Sequence, residues 1–137
     1  MTLKLGALDA EDLSVISAHM QDAVLLVGDM AFDARRKQFA LVVNRFAWDS
    51  QESRQRRRSG LHFDRVLAVR HLNIRTPEKD AVLSLLAIGF EADEPPSGTI
   101  VLTFSGGGSL RLKVECIEAA MKDLGPAWET KQTPAHE

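Results

Sequence analysis

TIVLTFSGGGSLRLKVECIEAAMKDLGPAW, spanning Thr99 to Trp128, holds a hairpin and a closing element, and the other segments are read against it. Ile100, Leu102 and Phe104 alternate with Thr99, Val101 and Thr103, and Leu110, Leu112 and Val114 alternate with Arg111, Lys113 and Glu115. Period-two alternation gives each strand one face for a core. Between them SGGGS, residues 105 to 109, supplies glycines that take positive φ without a Cβ clash, as a tight reversal requires. After Glu115 the spacing of Ile117, Ala120, Met121 and Leu124 matches one helix face, Glu118 and Lys122 form an i,i+4 pair, and Gly125-Pro126 makes a stop. These residues predict a C-terminal helix whose four apolar side chains face the core.

Outward from this stretch, the amino-terminal run LDAEDLSVISAHM predicts a second helix. Asp9 can cap it, Glu11 and Asp12 suit its positive end, Leu8 can staple against Leu13, and Leu13, Ile16 and Met20 share a face. A helix this short must dock onto a sheet to persist. AVLLVGDMAFD and QFALVVNRFAWD, joined by a polar turn at Ala34 to Lys37, read as a second hairpin. Phe39, Leu41 and Val43 lie on one face and Val42, Phe46 and Trp48 on the other, which fits a central strand or a change of face near Asn44 through a bulge.

DSQESRQRRRSG, from Asp49 to Gly60, lacks any apolar residue and is expected to be a solvated loop, with the flanking strands projecting into it as a ribbon. The apolar phase then slips between Leu61-Phe63 and Val66-Ala68, placing a bend at Asp64-Arg65 between two strands. Thr76-Pro77-Glu78 predicts a helical turn, and the alternation of Leu86, Ile88 and Phe90 predicts a strand after it, with Leu83 and Leu85 on its second face. The second faces of Phe39 to Trp48 and Leu83 to Phe90 exceed what one short helix covers, so a homodimer is expected. Residues 1–128 are read as one globular domain of α+β class and 129–137 as a polar tail.

The 137 residues are 45% hydrophobic and 26% charged, which suits a globular chain with one core. No apolar run approaches the roughly 20 residues of a membrane span, and the amino terminus has no signal-like core, so no membrane insertion and a cytoplasmic location are expected. The formal charge of −2 gives no general attraction to polyanions, so any such role is local. Cys116, alone, cannot form an intramolecular disulfide and is read as a small buried hydrophobe.

LDAEDLSVISAHMQDAVLLVGDM, RRRSGLHFDRVLAVR and GGGSLRLKVECIEAAMKDLGPAW together resemble the alphaproteobacterial family DUF2948 over nearly the whole chain. That resemblance implies no activity, cofactor or catalytic residue. The element order, roughly six or seven strands closed by an amphipathic helix, is similar to the pleckstrin-homology-like barrel, a small antiparallel barrel or sandwich.

Arg54, Arg56, Arg57 and Arg58 form the densest charge in the chain, and Arg35, Arg36 and Lys37 sit in another turn. Guanidinium forks suit phosphate, and if the two turns meet they would make an anion-binding rim. Asp33, Asp49 and Glu52 dilute the charge, and no aromatic residue interrupts the run for base stacking. His62 and Asp64, two apart, can project on one strand face, where a carboxylate orients an imidazole as a base, yet no nucleophile accompanies them. The histidines lack metal-ligand spacing and no cofactor motif is present, so neither metal nor cofactor is expected. Three functions follow in order: a non-enzymatic binding or scaffold module working by protein contact with an unidentified partner; an anion or nucleic-acid binder through Arg54 to Arg58; and an enzyme using His62 and Asp64.

Overall fold

A computed structural model describes residues 3–46, 55–125 and 128–129. The chain runs β1 (Lys4–Ala7), α1 (Ala10–Met20), β2 (Val24–Leu26), β3 (Met30–Asp33), β4 (Gln38–Phe46), β5 (Gln55–Phe63), β6 (Val66–Leu72), β7 (Val82–Ala92), β8 (Gly98–Phe104), β9 (Ser109–Val114), β10 (Ala119–Asp123) and β11 (Trp128–Glu129). The strands pair antiparallel in the order β1-β10-β5-β4-β2-β7-β8-β9-β6, with β3 beside β4 and β11 beside β5. This is an α+β fold built on an open sheet. β2 pairs with both β4 and β7, so it joins the two halves, whose inner faces share one apolar core with α1.

The 99–114 hairpin forms as its alternation requires. Ile100 pairs with Leu112 and Leu102 with Leu110, all fully buried, and Gly106 and Gly107 take φ of 81° and 90° in the turn. Gly98 opens β8 because a Cβ there would lie 2.5 Å from the Glu91 carbonyl oxygen. In α1 the Asp9 side chain accepts the Asp12 N–H at 2.7 Å, and Leu13, Ile16 and Met20 are buried. Leu8 is 75% exposed, so no staple forms. The helix is bolted to the sheet where the Ile88 N–H donates to the Ser17 hydroxyl at 2.9 Å.

β3 and β4 form the second hairpin, and β4 is a central strand in unbroken register with β5 from Phe39 to Phe46. The bend at Asp64-Arg65 is present, with Arg65 at φ 61°. Residues 76–80 form turns instead of a helical turn, and β7 begins at Val82. A register shift between Leu85 and Ala87 puts Leu85 and Ile88 both into the core and leaves Leu86 outside. A bulge of this kind reverses the phase that strict alternation assigns.

Two further expectations are corrected. No C-terminal helix forms at 117–124: residues 119–123 are β10, paired with β1 on one side and β5 on the other. Ile117 and Met121 are buried, but Ala120 is half-buried and Leu124 is 53% exposed. Good helix formers are overridden here because two flanking strands satisfy every backbone group and the alternation of Ala119, Met121 and Asp123 inward suits a sheet. The element that carried the likeness to the pleckstrin-homology-like barrel is therefore a strand, and the sheet is not closed. The second correction concerns the polar segment 49–60, whose residues 55–60 belong to β5. Its remainder, with Arg54, and Trp48 lie outside the described residues, as does the tail beyond Glu129.

Among the described residues no helix is long and apolar enough to cross a membrane.

Candidate functional site

β5 carries the arginine run, and the alternation of a strand sends its members to opposite sides. Arg57 turns inward and is 7% exposed, Arg58 turns outward, and Arg56 is half-buried. Arg56 donates to the Asn44 carbonyl at 3.1 Å and lies 5.9 Å over the Phe46 ring. Burial lowers its guanidinium pKa from the usual arginine value, opposed by the charge of Asp22. Arg35 and Arg36 sit at the far end of β4: Phe39 pairs with Phe63 while Phe46 pairs with Arg56. That separation of seven residues is about 24 Å of strand, which keeps Arg35 and Arg36 apart from Arg56.

Inside the sheet, Arg45 and Asp123 form a fully buried bidentate pair, Nε to Oδ1 and Nη2 to Oδ2, both 2.9 Å. Ser59 Oγ donates to Oδ1 at 2.6 Å, the Leu3 N–H to Oδ2 at 2.7 Å, and Arg57 Nε stands 3.9 Å from Oδ2. The Asp123 N–H donates back to the Leu3 carbonyl, so this carboxylate ties β1, β4, β5 and β10 together. Nothing in the sequence patterning separates Arg45 from a surface arginine except its place, two residues beyond Val43, in the row Phe39, Leu41, Val43.

The cluster makes a pH prediction. Burial pushes the Asp123 carboxyl up, but the hydrogen bonds from Arg45, Ser59 and the Leu3 amide outweigh it and lower the pKa from 3.8 to about 2. A depressed folded-state pKa means stability that is present above pH 4 and lost as pH falls toward 2. The loss from this group is on the order of 2 kcal/mol. Urea midpoints recorded from pH 5 to pH 2 should fall across that window; a midpoint constant throughout it would contradict the assignment.

The opposite, solvent face of β1, β10, β5 and β4 has a different composition. Small or apolar residues, Ala40, Val42, Gly60 and Ala120, form its floor, and Leu124 lies over Gly60. Two adjoining depressions of about 350 and 320 Å³ meet at Val42, the second reaching Leu26 and Val82, which are 38% and 64% exposed. Lys4, Lys122 and Arg58 stand on the rim, and an exposed carboxylate, Asp29, lines the second depression. Lys4 pairs directly across from Lys122, and none of the three cations makes an ion pair among the described residues. Like charges directly opposite one another cost stability in a sheet.

The model of a family described as a protein of unknown function, DUF2948, matches residues 3–136, nearly the whole chain. The chain belongs to the DUF2948 family. No curated protein and no solved structure matches it.

In this DUF2948 chain the His62-Asp64 pair lies at one end of the larger depression, with Nδ1 3.2 Å from Oδ2 and both side chains partly exposed. His62 Nδ1 makes no hydrogen bond among the described residues, and Asp64 Oδ1 accepts from Gln38 Nε2 at 2.9 Å. Among the described residues, no serine, threonine or cysteine lines that depression to serve as a nucleophile. Cys116 is half-buried in the link from β9 to β10. Sequence reasoning missed Lys4 and Lys122 because they are 118 positions apart and only the β1-β10 pairing places them side by side.

Proposed function

We propose that this DUF2948 chain is a non-enzymatic binding module acting through protein contact, and that its contact surface is the outer face of β1, β10, β5 and β4. The supporting observation is the Lys4-Lys122 pair, held side by side on the rim of an apolar floor with no carboxylate partner among the described residues. Such a rim and floor suit a partner segment that presents apolar side chains flanked by carboxylates, where rim charges steer encounter and the floor is desolvated. A second copy is the competing occupant. A two-fold axis passing near the Lys4-Lys122 pair would set these cations against the same two cations of the other copy, which favours the acidic partner.

Binding of phosphorylated ligands or nucleic acid by the arginine run has less support, because Arg56 and Arg57 are turned into internal contacts and leave Arg58 as the exposed member among the described residues.

The test uses the purified chain and a K4E/R58E/K122E variant, whose three positions are exposed, as baits in the same native lysate at low and moderate salt. A protein retained by the wild type, lost by the variant, and then reconstituted from pure components with at least ten-fold weaker binding to the variant is the expected result. Equal retention by both baits, retention of nucleic acid alone, or a wild-type dimer in light scattering that the variant abolishes would overturn it.

A further inference from the structure

Apart from that face, the open sheet leaves a seam between β3 and β6. β3 pairs only with β4 and β6 only with β9 among the described residues, so each has a free edge. The two are tied at one end, where the Val66 N–H donates to the Lys37 carbonyl at 2.8 Å. Away from that tie they part around a cleft of about 220 Å³, lined by Met30, Phe32 and Phe39 on one side and His71 on the other, with Lys79, whose carbonyl accepts from the Gly28 N–H, beside the start of β3.

The side chains at this seam point toward the core yet are only partly covered: Met30 and Val69 are half-buried, Phe32 and His71 exposed. Met30 pairs with Leu41 and Phe32 with Phe39, so both share the inner face of β4, and Phe32 is still 37% exposed. On the other rim Val69 pairs with Leu112 and His71 with Leu110, again on the inner face, and His71 is exposed. In a closed barrel one more strand would cover these four residues and pair with the free edges. The register shift of β6 lies between Val66 and Ala68, at the tied end, leaving Val69 to Leu72 regular. A bulge blunts an edge only where it twists it, and the regular part remains a template for pairing.

Charge indicates what chemistry the added strand carries. Arg70 stands directly opposite Arg111 on β9; Arg111 is paired with Glu91, whereas Arg70 and Lys79 make no ion pair among the described residues. We infer that the seam between β3 and β6 receives an extended segment of another protein as an added strand, with apolar side chains at alternate positions entering the cleft and carboxylates between them, on the opposite face, meeting Arg70. Main-chain bonds to the free edge supply affinity in this mode of recognition, and the pockets for alternate side chains supply selectivity.

The probe is an eight-residue capped peptide alternating valine with glutamate, labelled for fluorescence polarisation, with hydrogen exchange followed on the full chain. Saturable binding is expected, together with slowed exchange of amides in 67–72 or 30–33. Methylation of alternate peptide nitrogens, or glutamate replaced by lysine, should each weaken binding at least ten-fold, and R70E should weaken binding of the parent peptide by about the same factor. Absence of binding at millimolar peptide, binding that leaves both edges exchanging at their free rate, or equal binding of the lysine peptide overturns the inference. So does protection of 67–72 without peptide that grows with protein concentration, since that assigns the edge to a second copy. The peptide controls are read on the wild-type chain, so a charge-reversed variant that failed to fold would not spoil the result.

Discussion

Asp123→Ala is expected to lower the unfolding free energy by roughly 3–5 kcal/mol, the cost of removing one partner from a buried ion pair. The magnitude follows from what remains behind. Arg45 is 0% exposed and both of its bonds to Asp123 vanish, while the Ser59 hydroxyl and the Leu3 amide lose their acceptor and Arg57 loses the carboxylate nearest to it. Removing the bidentate partner of a buried charge is more costly than leaving a vacant apolar site of the same size. Because a domain of this size is stable by only about 5–15 kcal/mol, the variant should approach the folding threshold. R45M and D123L should each destabilise as well, and R45M/D123L should be less destabilised than the sum of these two single changes, since an apolar pair removes both charges together; with the wild type they close a cycle of four proteins. Urea denaturation of the four proteins measures the coupling; strict additivity would show that the pair does not act as a unit.

The second large effect is a contrast between two leucines that patterning places alike. Leu112→Ala is expected to cost about 2–5 kcal/mol, since Leu112 is wholly buried on β9 between β8 and β6 and truncation leaves a cavity. Leu124→Ala should stay within about 0.5 kcal/mol, as is usual for an exposed position. Leu124 is 53% exposed beyond the end of β10, where its backbone N–H, unaffected by the change, donates to the Arg58 carbonyl. Thermal or urea unfolding of both variants gives the comparison directly. A Leu124→Ala cost equal to that of Leu112→Ala would mean that this end of β10 is covered in solution.

Legibility of the candidate surface was uneven for a geometric reason. The exposed second face of β4, with Ala40, Val42 and Asn44 half-buried, follows from alternation along one strand. The cations that give the face its character come from β1, β5 and β10, which are distant in sequence and are brought to one side by pairing alone. The arginine run shows the converse: contiguous in sequence, it is divided by the strand so that Arg57 and Arg58 serve opposite faces.

By itself the sequence determined the elements whose instructions are local. Asp9 caps α1 because its side chain needs only the amide three residues on, and 99–114 folds back because alternation and the glycine turn agree within sixteen residues. Tertiary structure alone decided the rest. Residues 119–123 have helical propensity of their own and become a strand because β1 and β5 supply partners on both sides, a gain that no local pattern records. The fold alone brings Arg45 and Asp123, 78 positions apart, to within 2.9 Å and out of water, where each charge offsets part of the cost of burying the other.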